Sequence, residues 1–186
     1  MNHPLTPLEP PYEAQTKAVL EQYPHQNGYL LALFRTFANS ERFLRIGVPN
    51  LLGRDSPLDL RTREIAILRI TANRGCAYEW GVHVAIFAPA ARLTEAQVRA
   101  TRHDDPEVWS DRELRLITAI DQMCETATLT DSTRQSFQDD WTAAQQLELM
   151  ALCGTYTTIS LVANIANLPN EDFAPDFPEA SAEAGI

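Results

Sequence analysis

Residues 60–73, LRTREIAILRITAN, place Ile65, Ala66, Ile67, Leu68 and Ile70 on nearly every side of a helix. A helix without a wide polar face cannot lie on a surface without exposing apolar area, so this one belongs at the centre of a fold, with other elements packed around it. Gly75 is its natural C-cap, because glycine enters the left-handed region without steric cost.

The rest of the chain supplies helices to surround it. Pro4, Pro7, Pro10 and Pro11 keep residues 1–11 extended, and helix begins only at about Tyr12 and ends near Tyr23. Apolar periodicity over Tyr29–Ala38 gives a second helix, and Ser40 caps a third over Glu41–Ile46. Thr94 with Gln97, Ser110 with Glu113 and Thr142 with Gln145 each set a hydroxyl three residues before a Glu or Gln, the pattern that satisfies free amides at a helix start. They open helices over Glu95–Arg102, Asp111–Ala127 and Ala143–Ala166, with a shorter one over Asp131–Asp139. Alternating strand patterns are absent, so the expected class is all-α, a single helical domain over 12–168. Residues 169–186 hold five acids, no base, Pro175 and Pro178, and read either as an acidic tail without fixed structure, the preferred reading, or as a strap across a neighbouring subunit.

The chain has 186 residues, 45% hydrophobic, enough for one core without disulfides. A net charge of −10 repels nucleic acid and anionic membranes, which leaves a small molecule as the expected partner. The start lacks a secretory layout and no apolar run reaches bilayer length, so a cytoplasmic location is expected. Cys76, Cys124 and Cys153 match neither a disulfide framework nor a paired zinc motif. Cys124 and Cys153 sit among apolar helical neighbours and read as small buried hydrophobes. Seven arginines against three acids between Arg42 and Arg74 form a basic segment that could hold a carboxylate.

The polar residues after Gly75 carry the chemistry. On an ideal helix Cys76, Glu79 and His83 fall within about 60° of one another, and Trp80 and Phe87 flank them within about 40° of Cys76. A thiol at a helix N-terminus is pulled towards thiolate, and Glu79, four residues before His83, can bind the imidazole and raise its basicity. Gly81 allows another helix to come close. Amphipathic helices also carry Glu and His at this spacing merely as a solvated face. Glu79 and His83 are two plausible metal ligands without a third in ligand spacing, so neither metal nor cofactor is expected.

Arg61, Arg63, Glu64, Cys76 and His83 together resemble the signature of the carboxymuconolactone decarboxylase and alkylhydroperoxidase-D-like superfamily: an R-x-R-E helix, a Cys twelve residues after the Glu, and a His seven further on. The resemblance continues through residues 82–100. It implies an alkylhydroperoxidase-D-like helical bundle, a homo-oligomer (trimer or hexamer), and a site of Glu64, Cys76, Glu79 and His83. The peroxidase branch uses a Cys-x-x-Cys pair, whereas this chain reads Cys76-Ala77-Tyr78-Glu79, so no disulfide can close inside the motif. Glu79-x-x-x-His83 is similar to the lactone decarboxylase branch. That implies a cofactor-free lyase or isomerase, with His83 as general acid/base, Glu79 orienting it, Cys76 in support, Glu64 as a second relay carboxylate, and Arg61, Arg63, Arg74 and Trp80 around an anionic cyclic or enolisable substrate. The alternatives are a peroxidase using Cys76 with a resolving thiol from elsewhere, and a non-catalytic helical oligomerisation module.

Overall fold

A computed structural model describes residues 5–179 of the chain. Parts of both terminal segments read from the sequence, residues 1–4 and 180–186, lie outside the described residues. Among the described residues nine α-helices follow one another: α1 (Ala14–Leu20), α2 (Ala32–Phe37), α3 (Glu41–Ile46), α4 (Leu60–Asn73), α5 (Ala77–Ile86), α6 (Glu95–Ala100), α7 (Asp111–Thr126), α8 (Asp131–Asp140) and α9 (Ala143–Ile165). A short 3-10 turn over Pro106–Val108 precedes α7. The fold is all-α; the described β-pairing is one isolated bridge between Gln26 and Tyr29.

α4 is the axis. It packs against α7, α9 and α5, and its residues Thr62 to Ala72 are all buried. The helix is apolar on several sides because each side meets a different neighbour. Local chemistry starts the surrounding helices where the hydroxyl pattern places them. Thr94, Ser110 and Thr142 each accept the backbone N–H three residues on, while Gln97, Glu113 and Gln145 accept the N–H of the cap, so two free amides are satisfied at each start. Asp59 caps α4 through Thr62 N–H at 2.8 Å. No described helix is long and apolar enough to cross a membrane.

The C-terminal segment departs from the expectation of an unstructured tail over residues 169–179. Glu171 is buried, and its Oε1 accepts the Tyr78 hydroxyl at 2.5 Å and the backbone N–H of Ala32 at 2.8 Å. Ala32 opens α2, whose N-cap Leu31 offers no side-chain acceptor, so a carboxylate 139 residues away serves as the cap. Phe177 then lies on Trp80, ring centroids 5.3 Å apart. The acidic composition hid this because one buried, hydrogen-bonded acid and one aromatic anchor suffice to hold a polar strap.

Candidate active site

α4 ends in a turn that determines the site. Gly75 takes φ +60°, its N–H reaches Ala72 O at 3.0 Å, and the Cys76 N–H reaches back to Thr71 O at 2.9 Å. These paired bonds are a Schellman closure; they satisfy the last carbonyls of α4 and reverse the chain so that α5 lies against α4. Glu64, in the second turn of α4, thereby faces His83 on α5.

His83 Nδ1 lies 2.7 Å from Glu64 Oε2, and the other oxygen of Glu64 accepts Arg63 Nε at 3.1 Å. On the far side of the ring, His83 Nε2 is 3.0 Å from the Tyr156 hydroxyl and 3.5 Å from Glu79 Oε1. Glu64, His83 and Tyr156 are 0%, 2% and 3% exposed, so the chain of polar groups runs through the core. Phe87, one turn after His83, covers the imidazole at a centroid distance of 4.9 Å, and the Tyr156 ring meets it edge-on.

Burial opposes charge on His83, but the Glu64 and Glu79 carboxylates outweigh it and push its pKa up to about 9. Burial raises the Tyr156 phenol well above its ordinary value, and the negative charges of Glu79 and Glu64 add to this. Glu79 Oε2 is buried and has no hydrogen-bond partner. Leaving such an acceptor unpaired costs roughly 1–3 kcal/mol.

Several expectations need correction. The imidazole is oriented by Glu64, whereas Glu79 holds the longer contact on the opposite nitrogen. Cys76 is the N-cap of α5 but wholly buried, and desolvation pushes its thiol pKa up, while the Glu79 amide pulls only partly the other way. The helix dipole therefore does not yield a thiolate. Ser160 approaches this thiol without completing a hydrogen bond. Of the three candidate arginines the structure brings only Arg63 to the cluster. Arg61 pairs with Glu113 at 2.7 Å and the carbonyl of Arg92 at 2.7 Å. Arg74 holds Thr157 Oγ1 at 3.1 Å and Cys124 O at 2.7 Å. Trp80 belongs to a separate apolar cluster with Leu68 and Ala72 and donates its indole N–H to Thr101 Oγ1. The close neighbour of Gly81 is the backbone carbonyl of Pro175 in the C-terminal strap, not a helix.

Tyr156 and Ser160 were not singled out from the sequence. The sequence carries no sharp signal for them: they are two of five hydroxyl side chains between Thr155 and Ser160 in α9, and only the packing of α9 against α5 selects them. Among the described residues no group of three or more His, Cys, Asp or Glu side chains is arranged to hold a metal ion.

Residues 46–122, which contain α4, the Gly75 turn and α5, match the model of the carboxymuconolactone decarboxylase family. No curated protein matches the chain. Among solved structures, the apo debrominase Bmp8 has the same fold, with a TM-score of 0.70 over 92% of this chain and 94% of that chain at 15% sequence identity. The matched segment thus resembles the carboxymuconolactone decarboxylase family, and the chain shares the all-helical fold of the debrominase structure.

Proposed function

We propose that the protein is a cofactor-free enzyme of proton transfer at carbon, a lyase or isomerase acting on an anionic, enolisable small molecule. The observation that carries this reading is the His83 imidazole fixed between Glu64 on Nδ1 and the Tyr156–Glu79 pair on Nε2. Glu64 sets the ring orientation and holds the proton on Nδ1; Nε2 is the working nitrogen. With a pKa near 9 the imidazole is charged at neutral pH, which suits a general acid.

In a decarboxylation the bond from carbon to the carboxylate breaks and its electron pair forms an enolate. His83 then gives its Nε2 proton to carbon, directly or through the Tyr156 hydroxyl, and recovers one from water. Arg63 is the group to meet the substrate carboxylate and the developing negative charge, at the expense of part of its bond to Glu64. Cys76 acts as a neutral thiol beside this path. Its burial argues against a peroxidase role, which needs a reachable thiolate. Exposed Leu147, Met150, Leu161 and Ile165 along α9 support a homo-oligomer as the working form.

The structural neighbour is named a debrominase. Exchange of bromine for hydrogen on carbon with release of bromide is a two-electron reduction that ends in proton delivery to carbon, so halogenated enolisable rings, supplied together with an added thiol as the two-electron reductant, form a second substrate class to examine. The test is to incubate the protein with carboxylated lactones, 3-oxo acids and bromo-substituted enols in deuterated water, and to follow release of carbon dioxide or bromide and deuterium at carbon. Turnover by the native protein that His83→Gln abolishes supports the reading; turnover that survives this change overturns it.

A further inference from the structure

The Cys124 and Cys153 thiols lie 3.7 Å apart, Sγ to Sγ, one on α7 and one on α9. They read from the sequence as inert core residues, yet the structure makes them a matched pair. Both are free. Cys124 is half-buried, and Cys153 behind it is 8% exposed. Arg74, tied to the Cys124 carbonyl and to Thr157 one turn along α9 from Cys153, places a fixed positive charge at the pair. The thiol–thiol hydrogen bond lowers the pKa of Cys124 and raises that of Cys153, with Arg74 adding to the effect on Cys124. None of these groups takes part in the His83 network.

We propose that Cys124 and Cys153 form a thiol–disulfide exchange site, with Cys124 as the attacking thiol, Cys153 as the resolving thiol, and a small linear disulfide as substrate. The Cys124 thiolate attacks one sulfur of the disulfide R–S–S–R; that S–S bond breaks, one R–S⁻ leaves and Cys124 carries the mixed disulfide. Cys153 loses its proton to water and attacks Cys124 Sγ, the mixed disulfide breaks, and the second R–S⁻ leaves. The protein is oxidised by two electrons and the small disulfide is reduced to two thiols. The Sγ atoms have to close from 3.7 Å to a bond of about 2 Å, a movement within the reach of side-chain rotation. The half-buried position of Cys124 sets the order, since an incoming disulfide meets it before Cys153.

The experiment uses the full chain, reduced and native, with the aromatic disulfide 5,5′-dithiobis(2-nitrobenzoate) as probe. Two equivalents of coloured thiolate released per chain, no retained label, a mass lower by two hydrogens and a Cys124–Cys153 crosslinked peptide are expected. Cys153→Ser releases one equivalent and keeps the label on Cys124; Cys124→Ser slows release about tenfold or more; Cys76→Ser behaves as the native protein. The native protein's stoichiometry is informative even where a variant fails to fold. A native chain that retains label, or that yields no Cys124–Cys153 crosslink, overturns the proposal. A Cys124→Ser variant that is folded by circular dichroism and reacts at the native rate overturns it as well.

Discussion

Glu64 and His83, 19 residues apart and on different helices, meet at 2.7 Å through Oε2 and Nδ1 with both side chains withdrawn from water. Removing the charge from Glu64 while keeping its shape separates orientation from electrostatics. In Glu64→Gln the His83 pKa is expected to fall from about 9 to near or below its ordinary value, because burial then meets less opposition. Glu79→Gln gives a smaller fall. Titration of the labelled imidazole by NMR reads both, and a His83 value unmoved by Glu64→Gln contradicts the assignment.

The same shift predicts how stability depends on pH. The folded His83 holds its proton more tightly than the unfolded residue, whose pKa is near 6.5, so its contribution is complete below about 6.5 and is lost as pH rises through about 9. Chemical denaturation of the native protein at a series of pH values is expected to lose up to ~3 kcal/mol across that window. His83→Gln flattens that part of the profile. A native profile that rises between these values has the wrong sign for a charged His83.

Tyr156 is the only hydroxyl bonded to His83 Nε2 among the described residues. Tyr156→Phe keeps the ring edge on the imidazole and removes this one bond, so a stability loss of about 1 kcal/mol is expected. If the proposed proton transfer holds, on any substrate found for the native protein kcat falls about a hundredfold with little change in KM, as when a proton-relaying group is lost. A change confined to KM places Tyr156 in substrate binding only.

The bundle was readable because its helices are specified locally: the three hydroxyl caps and the Gly75 stop act within four residues, and the all-sided apolar run of α4 admits only a central position. The site was readable only where it is local too. Glu79 and His83 were paired correctly by i,i+4 spacing, but the stronger partner Glu64 comes from another helix, and Tyr156 is 73 residues further on. Trp80 was misplaced for a geometric reason. The angle was measured from Cys76, yet Cys76 is a non-helical cap with φ −94° and ψ 85°, so it does not share the phase of α5. A local excess of arginine showed positive charge but not its destination; Arg61 and Arg74 spend theirs on Glu113 and on the carbonyl of Cys124.

The strap over residues 171–179 closes on Gly81, and here the absence of a side chain is what the packing requires. A Cβ at this position runs into the Pro175 carbonyl oxygen, and backbone cannot step aside as a flexible side chain can. Gly81→Ala is therefore expected to displace the strap, at a cost of about 1–3 kcal/mol, and to lift Phe177 from Trp80. Because Glu171 accepts both the Tyr78 hydroxyl and the Ala32 N–H, displacement also uncaps α2. Faster hydrogen exchange at Ala32 and Ala174, with altered Trp80 fluorescence and an unchanged α4, is the expected signature. Native exchange rates at Ala32 and Ala174 in a folded Gly81→Ala protein would show that the strap is held without this contact.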